Sequence, residues 1–112
     1  MKLTTIAAAL LMLAPLTARA EMMADAKGMT LYTFDKDTGG ASVCYDDCAA
    51  KWPPYLVTAG ETKGEGWTQI DRKDGAKQWA YDGKPMYFFI EDKAKGDKMG
   101  DAMGGVWHVI NE

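Results

Sequence analysis

Two stretches of this sequence repeat one pattern, Tyr32-Thr33-Phe34-Asp35-Lys36-Asp37 and Tyr87-Phe88-Phe89-Ile90-Glu91-Asp92. Both read Tyr-x-Phe-x-x-Asp, and a glycine stands four residues before each tyrosine. The spacing of the two rings puts them on one face of a β-strand. The final aspartate follows where a strand gives way to a turn, so Asp37 and Asp92 are expected to cap strand ends by accepting backbone N–H groups. The pattern predicts one structural unit used twice.

The segments around the motifs predict a mainly β protein. We expect hairpin turns at Asp74-Gly75 and Asp82-Gly83, and strands at 29–34, 67–70, 77–81, 85–90 and 106–110. A short helix is expected at 48–51, because Asp46-Asp47 can cap its start and Pro53-Pro54 ends it. The predicted fold is a small antiparallel β domain built from two related repeats, about 28–57 and 67–110, with one short helix.

Residues 1–20 have the organisation of a secretory signal peptide. Lys2 gives a positive start, an apolar run follows from Ile6 to Leu16, and Ala18-Arg19-Ala20 supplies the small residues of a cleavage site. The run is shorter than the roughly 20 residues of a membrane-spanning helix. We therefore expect residues 21–112 to form a single periplasmic or secreted domain without stable membrane insertion.

The mature chain is acidic. Loss of Lys2 and Arg19 reduces the 13 basic residues to 11, against 16 acidic residues, so the net charge becomes −5. Such a surface is a poor partner for nucleic acid, whose phosphates bind basic proteins. We expect the partner to be a small ligand or an unidentified envelope protein.

Cys44 and Cys48 are the two cysteines of the chain. Export places them where disulfides persist, so a structural disulfide is the favoured interpretation, with a redox pair or metal ligands as alternatives. Their three-residue spacer differs from the Cys-x-x-Cys of thioredoxin-like enzymes, and no histidine follows to form a haem attachment site. Side chains four residues apart in a regular helix suit the bond poorly, so Cys44 is expected just before the helix.

A single histidine and several methionines raise the alternative of a copper site. Met99 and Met103 lie in a glycine-rich stretch where core packing is the weaker explanation, and His108 follows them. An imidazole with thioether sulfurs suits copper. The competing interpretation makes His108 a partly buried, hydrogen-bonded strand residue and the methionines core fillers. We expect no cofactor, with copper as the alternative.

Aromatic residues are numerous enough to build the core of so small a domain. They include four tryptophans, Trp52, Trp67, Trp79 and Trp107. We expect the tyrosine and phenylalanine rings of both motifs to share one core, since one strand per repeat cannot bury an aromatic face alone. An exposed ligand platform built from some of these rings is the alternative.

Two further segments accompany the motifs: Cys44-Tyr45-Asp46-Asp47-Cys48-Ala49-Ala50-Lys51-Trp52-Pro53-Pro54 and Gly104-Gly105-Val106-Trp107-His108-Val109. Together with the motifs they resemble a family of bacterial secreted proteins and lipoproteins defined by the repeated Tyr-x-(Phe/Trp/Tyr)-x-x-Asp motif. The resemblance implies export and a repeated fold, and it implies no assigned activity. Glu21 stands where the lipoprotein members carry a lipid-bearing cysteine, so membrane anchoring is not carried over.

The inventory of reactive side chains argues against catalysis. The mature chain holds one histidine and one serine, Ser42, and its two cysteines are expected to be joined. The mature chain therefore offers few nucleophiles and a single imidazole base for catalysis of the Ser-His-Asp type. The sequence favours a non-enzymatic envelope protein that binds a ligand or partner through a surface built by the repeated motif. A periplasmic copper-binding or metal-handling protein and a purely structural interaction module are the alternatives.

Overall fold

The computed structural model describes residues 22–111, and its elements are those of a mainly β protein. In chain order they are strand β1 (Tyr32–Phe34), helix α1 (Asp47–Lys51), strands β2 (Trp67–Asp71), β3 (Lys77–Tyr81) and β4 (Lys84–Pro85), a 3-10 turn (Met103–Gly105) and strand β5 (Trp107–Val109). The strands form two antiparallel sheets, β1-β5 and β2-β3-β4. The predicted fold class is confirmed. The predicted signal peptide lies outside the described residues.

The two motifs meet through their tyrosines. Tyr32 and Tyr87 form an antiparallel bridge in which the Tyr32 N–H donates to the Tyr87 carbonyl at 2.8 Å and the Tyr87 N–H returns a bond of 3.0 Å. Strand β1 continues into its pairing with β5, where Thr33 lies opposite His108 and Phe34 opposite Trp107. The first motif is therefore held by backbone bonds to two separate parts of the second repeat.

The predicted strand 85–90 is wrong in length, since regular pairing stops at Pro85. Beyond it the Phe88 N–H donates to the carbonyl of Pro53, and the Ile90 N–H donates to the carbonyl of Lys51. Proline has no N–H to return such a bond, so the Pro53-Pro54 segment cannot complete a regular ladder. The predicted strand 29–34 is likewise shortened to β1, and Thr30 makes only an isolated bridge to Ala24.

Helix α1 is one turn long and lacks the expected side-chain cap. Asp46 occupies the N-cap position with φ of 55° and makes no capping hydrogen bond through its side chain. A capping side chain normally reaches its N–H from a residue in the β region, so this backbone conformation is unsuited to the role. The Cys44–Cys48 disulfide instead joins the preceding loop to the helix, with Cys44 just outside it, as predicted.

The buried side chains form two clusters on either side of the motif backbones. One contains the rings of Tyr32, Trp52, Tyr87, Phe89 and Trp107 with Cys44, and the other contains Leu31, Tyr55, Trp79 and Met86. Leu31 and Met86 directly precede the motif tyrosines, so successive side chains turn to opposite clusters, as strand geometry requires. Within residues 22–111, no helix is long and apolar enough to cross a membrane.

Candidate functional site

The inward face of the motifs builds a continuous stack of four rings. Trp107 stacks on Phe34 with centroids 4.1 Å apart, and on its other side it stacks on Trp52 at 3.8 Å. Trp52 in turn stacks on Phe89 at 4.2 Å. Each motif phenylalanine therefore packs on the tryptophan of the other repeat. The sequence contains a signal for this pairing, because both tryptophans lie 20 residues after their own motif tyrosine (32 to 52 and 87 to 107).

The motif tyrosines and aspartates form reciprocal hydrogen bonds between repeats. The Tyr32 hydroxyl donates to Oδ2 of Asp92 at 2.6 Å, and the Tyr87 hydroxyl donates to Oδ2 of Asp37 at 2.6 Å. The second carboxylate oxygen accepts a loop N–H in each case, from Val43 for Asp37 and from Met99 for Asp92. Each aspartate therefore fixes its own loop while it holds the tyrosine of the other repeat.

Burial keeps these tyrosines in their protonated, donating form. It raises the pKa of both the Tyr32 and Tyr87 hydroxyls well above the ordinary value, and the carboxylate acceptors raise the pKa further. Burial also raises the pKa of Asp37, against the opposing effect of the hydrogen bond from Tyr87. Both tyrosines are fully buried. The inward motif residues therefore join the repeats, and the two tyrosines among them are closed to a ligand.

A buried arginine that sequence reasoning missed extends this network. Arg72 donates from one terminal nitrogen to Ser42 Oγ at 3.1 Å and to Gln78 Oε1 at 2.8 Å, and from the other to the Cys44 carbonyl at 2.8 Å. Ser42 Oγ also lies 2.5 Å from the Tyr87 hydroxyl. The arginine thus ties the disulfide loop to the β2–β3 hairpin and holds the single serine of the mature chain inside the core. Nothing in the polar turn around Arg72 distinguishes it from an exposed turn residue.

The outward face of β1 and β5 lines the candidate ligand site. Thr33 and Asp35 alternate with the inward rings, and His108 lies across from Thr33. These side chains line a cleft with a volume of about 450 Å³. Its other lining residues come from the β3–β4 turn and the end of β5: Tyr81, Asp82, Lys84, Val109, Ile110 and Asn111. A hollow of about 140 Å³ shares Thr33, Asp35 and Lys84 with the cleft.

A histidine–carboxylate pair lies in the cleft. His108 Nε2 is 2.8 Å from Asp35 Oδ2, and the two side chains are 42% and 53% exposed. The hydrogen bond and partial burial fit the non-metal interpretation of this histidine. Exposed pairs of this kind contribute at most about 1 kcal/mol to folding. The fold therefore does not depend on these groups, which leaves them available for binding.

The methionines proposed as copper ligands are exposed. Met99 is 65% exposed and Met103 is 44% exposed, so neither fills the core. Neither is among the described residues that line the cleft with His108. Across residues 22–111, no group of three or more His, Cys, Asp or Glu side chains is placed to hold a metal ion.

Comparison with known proteins gives one match. A family described as a secreted repeat of unknown function matches residues 17–55 and 68–111. No curated protein and no solved structure matches the chain. The two matched segments each contain one Tyr-x-Phe-x-x-Asp motif together with the tryptophan that stacks on the other repeat. The chain therefore belongs to this family of secreted repeats, the Lipoprotein_15 family.

Proposed function

We propose that this protein is a non-enzymatic exported module that binds a small polar ligand in the cleft beside β1 and β5. The observation that carries the proposal is the concentration of polar side chains around one concave surface of about 450 Å³. Ligand sites of small molecules are concave and fix their ligand through a few placed polar groups. The cleft is lined by Thr33 and Asp35 of the first motif, in keeping with the expectation that the repeated motif builds the binding surface.

The position of the nucleophiles supports binding over catalysis. Ser42 is buried in the arginine network, and Cys44 and Cys48 are joined in a disulfide. His108 and Asp35 resemble two members of a catalytic triad, but a triad requires an activated nucleophile within hydrogen-bond reach of the histidine. The serine and cysteine side chains that ordinarily fill that role are committed elsewhere in the fold.

The charges of the cleft favour a zwitterionic ligand. Asp35 and Asp82 supply carboxylates and Lys84 supplies an ammonium group within one lining surface. A small molecule with an ammonium and a carboxylate can satisfy both signs of charge at once, whereas an ion of one sign meets repulsion from part of the lining. Free amino acids are the simplest probes of this class.

An NMR titration tests the proposal. Free amino acids are added to the oxidised mature protein, and their N-acetylated amides serve as uncharged controls. We expect saturable shifts of the Thr33, Lys84 and His108 resonances with the zwitterions only. Asp35→Asn should weaken the response, while Lys98→Gln, which changes an exposed lysine outside the cleft, should preserve it. Shifts that are absent, or equal with the uncharged controls, would show the proposal to be wrong.

The copper alternative from the sequence has its own test. Cu(I) or Cu(II) added to the oxidised protein should leave the melting temperature and the His108 resonances unchanged if the cleft serves an organic ligand. Stabilisation by copper that depends on Met99 and Met103 would favour the metal-handling alternative, because a ligand that binds only the folded state raises its stability. A purely structural module would respond to neither probe and would co-purify with one stoichiometric envelope protein.

The compartment we propose for this function is the periplasm. An oxidising compartment maintains the Cys44–Cys48 disulfide. Cell fractionation followed by free-thiol labelling tests this directly. Recovery of the oxidised protein from the culture medium alone would instead make it a fully secreted protein.

A further inference from the structure

Three aromatic rings at the edge of the second core cluster surround the ammonium group of Lys63. Its Nζ lies 4.9 Å from the ring centroid of Tyr55, 4.9 Å from that of Trp67 and 5.4 Å from that of Trp79. All three distances fall within the range of cation–π attraction. A single such contact is common on protein surfaces, but three rings on one ammonium form a cage.

The rings meet at angles that make separate walls. Tyr55 and Trp67 are perpendicular at 90°, and Trp67 and Trp79 are nearly perpendicular at 85°. A fourth, anionic wall is Glu61, whose Oε2 is 4.0 Å from Lys63 Nζ. Glu61 is itself fixed, since its Oε1 accepts the Trp79 indole N–H at 3.1 Å and the Thr58 N–H at 3.1 Å. Aromatic faces with one carboxylate form a site suited to an organic cation.

The three aromatic walls are rigid, whereas Glu61 belongs to the same loop as Lys63. Trp67 and Trp79 lie on β2 and β3, and Tyr55 is bonded to the sheet through its own backbone, with the Trp79 N–H donating to the Tyr55 carbonyl at 2.8 Å. Tyr55 and Trp79 are also part of the buried core. A site whose walls are fixed by the fold is preorganised and loses little freedom when it binds.

The occupant, in contrast, comes from a polar loop. Lys63 belongs to residues 58–66, which include Gly60, Gly64 and Gly66. Most of the described backbone hydrogen bonds of this loop join nearby residues, as the Glu61 N–H does when it donates to the Thr58 carbonyl. The exception lies at its end, where the Gly66 carbonyl accepts the Asp82 N–H. Withdrawal of Lys63 would therefore break few backbone bonds. The lysine is placed as a plug that can leave a preformed cage.

We propose that this cage is a binding site for a quaternary ammonium ligand, and that Lys63 occupies it as an intramolecular competitor. A quaternary ammonium carries its charge on methyl groups and is more weakly hydrated than a lysine ammonium, so it loses less on entering an aromatic site. While Lys63 fills the cage the ligand cannot enter, so the apparent affinity for the ligand falls with the fraction of molecules in which Lys63 occupies the site. This site is separate from the polar cleft and does not depend on the zwitterion proposal.

Choline is the probe, and dimethylbutanol, in which carbon replaces the quaternary nitrogen, is the uncharged control. The readout is the NMR resonance of the Trp79 indole N–H in the oxidised mature protein. We expect a saturable shift with choline and none with dimethylbutanol. Lys63→Gln should tighten choline binding by roughly tenfold, because the competing cation–π contacts are removed. Trp67→Leu should abolish binding, while Lys98→Gln, at an exposed lysine outside the cage, should have no effect.

A second measurement keeps the test independent of variant folding. In the wild-type protein, ring currents of the three aromatic residues should shift the Lys63 side-chain resonances away from the chemical shifts of an exposed lysine. As choline binds, these resonances should move toward the values of an exposed lysine. Equal binding of dimethylbutanol would overturn cation recognition. Choline binding with no change at Lys63, or no tighter in Lys63→Gln, would overturn the plug. If neither wild type nor Lys63→Gln responds to choline, the ligand site is overturned and Lys63 serves only to cover the sheet.

Discussion

The crossed hydrogen bonds Tyr32–Asp92 and Tyr87–Asp37 form a joint between the repeats. Replacement of Tyr32 by phenylalanine removes one hydroxyl from this joint and leaves the ring in place. The hydroxyl donates to Asp92 at 2.6 Å and accepts the buried Gly100 N–H at 3.2 Å. The variant loses a hydrogen bond to a carboxylate and leaves that N–H without its acceptor. Losses of this kind cost about 1 to 3 kcal/mol each and overlap, so we expect Tyr32→Phe to lower the free energy of unfolding by about 2 to 3 kcal/mol.

The corresponding change in the other repeat should cost less. The Tyr87 hydroxyl also lies beside Ser42, and its acceptor Asp37 is only partly buried, so water can replace part of the lost interaction. We expect Tyr87→Phe to cost about 1 to 2 kcal/mol. A double-mutant cycle should give a coupling of about 1 to 2 kcal/mol between Tyr32 and Asp92. Between Tyr32 and Asp37, which belong to the same motif, the coupling should stay within about 0.5 kcal/mol.

Urea unfolding of the oxidised protein, followed by tryptophan fluorescence, measures these differences. The slope of the free energy with urea should stay constant, so that shifts of the midpoint report stability alone. A Tyr32→Phe variant within about 0.5 kcal/mol of wild type would refute the energetic argument. Coupling of Tyr32 to Asp37 in place of Asp92 would refute the crossed pairing itself.

Three other changes test the core and its ionisation. Burial raises the folded-state pKa of Tyr32 and Tyr87 above the ordinary value of 10.0. The folded state therefore holds these two protons more tightly than the unfolded state does. Their contribution to the free energy of unfolding is fully present below pH 10 and should be lost as the pH rises through the folded-state pKa. In pH-jump unfolding, the Phe variants should lose less stability at high pH than wild type does. Gly100→Ala would drive a Cβ into the Trp52 ring and should cost about 1 to 3 kcal/mol in the same urea assay. Gly64→Ala, which meets nothing within 4 Å, should stay within about 0.5 kcal/mol; equal costs would contradict the packing. Replacement of both cysteines by alanine should cost roughly 1 to 3 kcal/mol without unfolding, and thiol labelling should find no free cysteine in the native protein.

Locally determined elements could be predicted from the sequence. Strand β3 spans Lys77–Tyr81 as predicted, and β2 extends only one residue beyond its predicted end. The Asp74-Gly75 and Asp82-Gly83 turns set these hairpins through nearby residues alone. The segment 85–90 was mispredicted because its pairing depends on Pro53-Pro54, which is distant in sequence and lacks the N–H groups of a regular partner.

The hydrogen bonds of the joint between the repeats could not be predicted from either motif alone. A capping role for Asp92 accounts for one carboxylate oxygen, which accepts the Met99 N–H, but the other oxygen holds Tyr32 from the opposite repeat. Such a contact depends on how two copies dock, which no single motif encodes. Equal spacing of tyrosine and tryptophan in both repeats was the available signal. For Arg72 the surrounding turn gave no signal of burial, because two of its hydrogen-bond partners, Ser42 Oγ and the Cys44 carbonyl, come from a segment distant in sequence.

The inward face of the motif joins the repeats, and the outward face of its first copy lines the cleft that we propose as a binding site. Its inward positions carry the same residues in both copies, and these rings and carboxylates form the crossed joint. Its intervening positions differ: Thr33 and Asp35 face the polar cleft, whereas Phe88 packs against Tyr55 and Ile90 is exposed. A repeat that used both copies for one ligand would need matching outward residues. The contact between the repeats therefore depends on the residues that both copies share, and the proposed ligand site depends on residues that only the first copy carries. If the proposal is correct, changes at Thr33 or Asp35 should alter ligand binding and leave the contact between the repeats intact.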